Sequence, residues 1–357
     1  MAKLKTAWKT VTRALLVAGL FFFNACADPV KNSADEQSEN GNNKPSDSTQ
    51  PKQTSINKLD SLNRLIADNP ADVNALLARA RFRLKRNDER NALFDLQQAQ
   101  RIDSIAPQVL QVYGELRMSQ NRSREAKELW TTCARFNEQN VSCRLSLAKL
   151  YYTVQDFEKA LKYVNEVIDR DRFNSEANLF KGLIVRDFKK DTARALQFIQ
   201  AAIELDQDNV DALDVMGVML TQQNDTLAPF YFRRILEKQP NRADVHYKLG
   251  VYYMQQDEIN RAIESYTRAI KLDPTDADSY YNLGFIFIQL KDYREAKKYF
   301  SQAIAVRPTS YKSYYGRGYS HEMLGDVINA AKDYRKALEV LPMYTPAREG
   351  LNRVNKN

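Results

Sequence analysis

The 357-residue chain is expected to fold as an all-α solenoid of about eight helical hairpins closed by a C-terminal capping helix. Three observations predict this. Small residues recur at Ala80, Gly114, Ala148, Gly182, Gly217, Gly250, Gly284 and Gly318, at intervals of 33 to 35 residues. A second small-residue series, Ala92, Ala126, Ala160, Ala195, Ala228, Ala262, Ala296 and Ala330, trails the first by 11 to 13 residues, the reach from one helix across a tight turn to its partner. Around these anchors apolar residues return at helical spacing, as in Tyr280, Leu283, Gly284 and Phe287. Small residues let two antiparallel helices approach closely, and stacking the copies buries the faces that one hairpin leaves open.

The elements follow in chain order. Residues 1–13 carry Lys3, Lys5, Lys9 and Arg13 without an acid, and residues 14–23 form a ten-residue apolar run. That is a signal-peptide pattern, too short for a membrane-crossing helix, which needs about 20 residues. The Ala25-Cys26 pair directly after it resembles the lipobox of bacterial lipoproteins. The resemblance implies a lipoprotein signal peptide over 1–25 and lipidation of Cys26, with acyl chains as the sole membrane anchor. Ordinary cleavage at Ala25-Cys26-Ala27 is the alternative. Residues 26–54 are almost devoid of apolar side chains and read as a disordered tether, because they cannot bury enough surface to offset ordering entropy.

Residues 55–72 match only the second helix of a hairpin and read as an N-terminal capping helix. Eight hairpins then occupy 73–106, 107–140, 141–174, 175–209, 210–242, 243–276, 277–310 and 311–344. Pro240, Pro274, Pro308 and Pro342 close the last four, where proline ends one helix and begins the link to the next. The spacing is one residue long in the fourth copy and one short in the fifth, around Asp187 to Thr192 and Gln222 to Thr226, so a turn is expected to absorb both. Residues 345–357 place Ala347, Leu351 and Val354 on one stripe with charged residues outside it, the pattern of a C-terminal capping helix.

In register, Tyr280, Leu283-Gly284, Phe287, Ala296, Phe300, Ala303 and Pro308 resemble the tetratricopeptide repeat (TPR), as do His246 to Pro274 and Tyr314 to Pro342. The resemblance spans about residues 56 to 357. It implies a right-handed superhelix whose first helices line a concave groove that binds a peptide or helix from a protein partner, without catalysis. At the groove positions the early copies are polar, with Gln111, Glu115, Ser142 and Lys149, whereas the late copies are aromatic and apolar. Tyr247, Val251 and Met254, then Tyr281, Asn282, Phe285 and Ile288, then Tyr315 and Tyr319 are the candidate contact residues. Such aromatics favour partner contact; the competing reading is that they pack on neighbouring first helices and stiffen the array. The family's carboxylate clamp is not carried over, because only Asn282 and Lys312 match it, and Tyr247, Val251 and Gly316 hold the other three places.

Composition narrows the chemistry further. With 3 Cys and 2 His there is no Ser-His-Asp set, metal-ligand spacing or Gly-rich phosphate loop, so no catalytic residue, metal or cofactor is expected. The formal charge of +8 falls to about +4 once Lys3, Lys5, Lys9 and Arg13 are removed, spread along the chain, which argues against nucleic acid. Cys133 and Cys143 flank one turn, and a disulfide between them is open. Packed helices about 8–10 Å apart exceed the roughly 7 Å that a disulfide spans, which favours two buried thiols. The expectation is a protein-binding adaptor of the bacterial cell envelope, lipid-anchored with the outer membrane favoured. A homo-oligomeric scaffold and a glycan or small-ligand binder are the alternatives.

Overall fold

The computed structural model describes residues 50–356. The charged leader, the apolar run, Cys26 and the tether up to residue 49 lie outside the described residues. A capping helix α1 (Gln50–Asp68) comes first. It starts within the segment read as tether, since Pro51 sits in a first helical turn and the Gln and Lys around it are good helix formers. Four hairpins follow: α2 (Val73–Leu84) with α3 (Glu89–Ile102), α4 (Pro107–Ser119) with α5 (Ser123–Phe136), α6 (Val141–Thr153) with α7 (Phe157–Arg170), and α8 (Ser175–Ile184) with α9 (Thr192–Leu205). Four more are α10 (Val210–Gln222) with α11 (Ala228–Lys238), α12 (Ala243–Gln255) with α13 (Ile259–Leu272), α14 (Ala277–Gln289) with α15 (Tyr293–Val306), and α16 (Tyr311–Met323) with α17 (Val327–Val340). The cap α18 (Thr345–Val354) ends the series, and no strand occurs among the described residues. The chain divides into two compact units, an N-terminal one ending at Gln207 and a C-terminal one beginning at Asp208.

The repeat is written in the backbone. Each first helix ends on one left-handed residue: Asn87, Asn121, Gln155, Lys190, Asn224, Asp257, Lys291 and finally Gly325. A left-handed residue there stops the helix and turns the chain. The next residue is then often an aspartate, and Asp88, Asp156, Asp191, Asp292 and Asp326 each accept an amide hydrogen bond that starts the second helix. Asp72, Asn140, Asn174, Asn209 and Ser310 do the same for first helices.

Between paired helices the small residues behave as expected. Ala80, Ala92, Ala126, Ala160, Ala262 and Ala296 are fully buried. Gly114, Gly217, Gly250, Gly284 and Gly318 each leave room for a ring from the second helix, and Gly182 does so for Ile199. A Cβ on Gly250 would come within 2.6 Å of Tyr266, one on Gly284 within 2.9 Å of Phe300, and one on Gly318 within 3.0 Å of Tyr334. Phe300 and Tyr334 are also gripped from the other side, by Gly316 and Gly350 of the following helix.

Three details correct the sequence reading. The extra residue of the fourth hairpin is absorbed inside the first helix, as a π-helical turn over Val185–Lys189, where the peptide N–H of Lys190 reaches back to Val185. The residue missing from the fifth shortens the start of α11, which begins at Ala228 with Pro229 in its first turn. Cys133 and Cys143 form a disulfide with a Cα separation of 6.1 Å. They lie in the last turn of α5 and the first of α6, where the tight Asn137–Asn140 turn draws the helix ends closer than mid-helix spacing allows.

The first and last hairpins share an unusual core. Arg79 pairs with Asp95 at 2.7 Å in the first, and Arg317 with Asp333 at 2.7 Å in the last, both bidentate and at the same place in the repeat. Asp95 is fully buried. The six inner hairpins carry Tyr113, Leu147, Lys181, Met216, Leu249 and Leu283 in place of the arginine, and none has an acid in place of the aspartate.

Candidate protein-binding groove

Within each unit, first helices of successive hairpins touch one another, as α4 does α6 in the N-terminal unit and α14 does α16 in the C-terminal one. They therefore form the inner wall, and side chains on their free sides form the groove floor.

In the C-terminal unit, Tyr247, Tyr281 and Tyr315 occupy one repeat position. Each lays its ring against the ring that the second helix has inserted: Tyr266, Phe300 and Tyr334, with centroids 5.8 Å apart in all three pairs. The packing holds the tyrosines at fixed spacing while each stays half-buried. Burial raises their phenols, those of Tyr247 and Tyr315 to about 12 and that of Tyr281 higher, so all three remain neutral hydrogen-bonding groups at physiological pH. Tyr247 is hydrogen-bonded with Asn282. Phe285, Ile288 and Met254 are half-buried along the same wall, and Tyr319 meets Tyr293 edge-on at 6.3 Å. Val251 is different. At 5 % exposure it belongs to the core and offers a partner nothing, because the bulkier side chains around it close over its short one.

Tyr311 and Tyr344 join the site, though the groove register did not select them. Tyr344 meets Tyr311 at 4.9 Å and Tyr315 at 5.5 Å, extending the row of rings onto the entrance of α18. The signal was available. Tyr344 sits where six of the eight first helices carry a capping Asp, Asn or Ser, and it makes no side-chain cap hydrogen bond. Gly316, one of the non-matching clamp positions, is explained by packing, since a Cβ there would come within 2.4 Å of Phe300.

The N-terminal unit presents a different floor. A recess of about 550 Å³ is lined by Gln111, Glu115, Ser142, Ser146, Lys149 and Glu176 among others. Its polar groups are spent on each other: Gln111 donates to Glu115 at 2.7 Å and to Ser146 at 2.8 Å, and Lys149 pairs with Glu176. Beyond it, Tyr152 donates to Asp187 at 2.5 Å on the π-helical turn, and Arg186 holds the same carboxylate. No group of His, Cys, Asp and Glu side chains able to hold a metal occurs among the described residues.

Family models of the tetratricopeptide repeat match residues 145–210, 277–310 and 311–341, and a TPR repeat model matches 253–291. No curated protein matches the chain. Among solved structures, the C-terminal part of a TPR repeat-containing protein from Cytophaga hutchinsonii is similar, at 20 % identity and TM-score 0.55, over 68 % of this chain and 99 % of that one. A crystal structure of MamA is similar at 26 % identity and TM-score 0.41, over 43 % and 91 %. The Arabidopsis OM64 TPR domain is similar at 29 % identity and TM-score 0.31, over 32 % and 95 %. The hairpins of residues 145–210 and 253–341 are tetratricopeptide repeats, and the chain is an all-α TPR solenoid.

Proposed function

We propose that this protein is a non-enzymatic adaptor tethered in the bacterial cell envelope, which holds a segment of a partner protein in the groove of its C-terminal unit. The TPR fold is typical of protein–protein interaction scaffolds. The observation that carries the reading is the row of half-buried rings, Tyr247, Tyr281, Tyr315 and Tyr344, backed by a second row inside the hairpins and flanked by Phe285 and Ile288. Rigid aromatic side chains supply contact area at low entropic cost, which is why they recur at binding hot spots. The Cys133–Cys143 disulfide supports export, since disulfides persist in oxidising compartments. It joins the leader and Cys26 as an independent pointer to the envelope.

The test is capture from envelope extract by the chain and by its Phe285→Ala/Tyr319→Ala variant, with circular dichroism to confirm the fold. A protein retained by the first and lost from the second is the expected result. Capture unaffected by the double substitution would remove the groove from the mechanism. Acylation is checked separately: labelled palmitate should enter the chain and be lost with Cys26→Ser.

A further inference from the structure

The positive charge that looks evenly spread in the sequence is sorted by face in the C-terminal unit. First helices separate the second helices along the chain, so the linear order hides the sorting. The second helices α11, α13, α15 and α17 each carry three Lys or Arg, twelve in all, against Glu237, Glu264, Glu295, Asp333 and Glu339. The first helices α10, α12, α14 and α16 carry Lys248, Lys312 and Arg317 against Asp211, Asp214, Asp244, Asp278 and Glu322. No such excess marks the N-terminal unit, whose second helices α3, α5, α7 and α9 bear nine basic and eight acidic residues.

Much of the acid on the basic face is already engaged. Glu295 pairs with Lys298 at 3.2 Å, Glu339 with Lys336 at 2.6 Å, and Asp333 with Arg317 of the groove helix. Arg268, Lys271, Arg294, Lys332 and Arg335 are exposed and make no ion pair among the described residues. A recess of about 680 Å³ between α11, α12 and α13 is lined by Arg233, His246, Arg261, Arg268 and Lys271, with Glu264 as its one acid. Large apolar side chains also project from this unit: Phe230 is 54 % exposed, Ile328 83 % and Met343 79 %. Basic residues alone would fit any polyanion. Basic residues interspersed with protruding apolar ones fit a lipid surface, where phosphates meet the charge and the apolar groups enter the headgroup boundary.

We propose that the second-helix face of the C-terminal unit docks on a membrane containing anionic phospholipids, with the recess between α11, α12 and α13 taking a headgroup phosphate. The proposal rests on the envelope reading for the supply of a membrane, but not on acylation of Cys26. Docking in this sense leaves the groove, on the opposite helices, open to its partner.

The experiment uses the full chain with Cys26→Ser, so that no acyl chain contributes, sedimented with vesicles of phosphatidylcholine alone or with a third of phosphatidylglycerol. Every chain tested also carries Lys3→Gln/Lys5→Gln/Lys9→Gln/Arg13→Gln, so that the leader keeps no charge to favour the anionic vesicles and its apolar run 14–23 acts alike on both types, which makes the difference between vesicles the readout. Expected is at least about tenfold stronger partition onto the anionic vesicles, weakening as salt is raised. Arg268→Glu/Lys271→Glu/Arg294→Glu/Arg335→Glu should remove that difference with an unchanged dichroism spectrum. Ile328→Ser/Met343→Ser should lower partition onto anionic vesicles at constant charge. Equal partition onto both vesicles, or a preference that survives the fourfold reversal, would overturn the proposal. So would binding to polyglutamate without binding to vesicles, which would assign the face to an acidic protein. A Cys26→Ser chain that ignores anionic vesicles, beside a wild-type chain that sediments with membranes, would overturn docking and leave the lipid tether standing.

Discussion

At Gly316 a single added methyl group meets the Phe300 ring at 2.4 Å, and that ring is fully enclosed, with Gly284 on its far side. Neither neighbour can retreat without opening a hairpin. Gly316→Ala should therefore cost about 1–3 kcal/mol of stability, the usual range for overpacking a filled core. Gly325 makes the opposite case. It has φ +79 and nothing within 4 Å of a built Cβ, and earlier hairpins place asparagine at the same turn. Gly325→Asn should change stability by less than about 0.5 kcal/mol, and parallel urea titrations of the two variants separate the cases. At this scale the sequence was informative wherever spacing alone decides a role. The glycines of the first helices, as places where two helices approach closely, were legible from the 34-residue register. Val251 was not, because the register assigns a face but not whether bulkier neighbours close over a short side chain. Gly316 was seen only as a missing clamp residue, since its contact is with a ring from the preceding hairpin.

Among the elements, the junction of α5 and α6 carries a constraint found nowhere else among the described residues. The Cys133–Cys143 bond closes a loop of 10 residues and fixes the second hairpin to the third beside the polar recess. Closing a loop of that size in the unfolded chain is worth about 2–3 kcal/mol on the chain-entropy model. Cys133→Ala/Cys143→Ala, or treatment with dithiothreitol, should lower the denaturation midpoint of the N-terminal unit accordingly, followed through Trp130, which shares a core cluster with both cysteines. Alkylation of the unreduced chain should leave both cysteines unlabelled. Uptake of two labels there without reductant would refute the bond. The rule of thumb for helix separation failed at this junction because it describes mid-helix crossings, whereas both cysteines lie within a turn of a helix end. The same bias explains the fourth hairpin. An extra residue suggests a longer loop, but the turn residues Lys190-Asp191 keep the pattern of every other hairpin, so the helix before them widens into a π turn.

For the whole molecule, the fold was legible because each of its levels repeats: small residues, left-handed turns, capping aspartates and inserted rings all return together. Sorting of charge between the two faces of the C-terminal unit was not, since it appears only when second helices separated by intervening first helices are brought side by side. The ion pairs of the first and last hairpins have a consequence of this kind too. Arg79 with Asp95, and Arg317 with Asp333, are ion pairs where no inner hairpin has one; the seventh, for example, has Leu283 and Tyr299 at those two places. A buried bidentate pair holds only while every hydrogen bond to it is kept, so such a hairpin depends on its own particular neighbours. The seventh hairpin, with Leu283 and Tyr299 at those places, carries no such dependence. Lengthening the array by duplicating residues 277–310 should give a folded chain with one more cooperative hairpin. Placing a copy of 311–344 at that same position should give a weaker chain, with the difference read in the denaturation midpoints of the two products. An Arg–Asp pair thus sets each of these two hairpins apart from the seventh, and duplication of a repeat is tolerated according to which hairpin is copied.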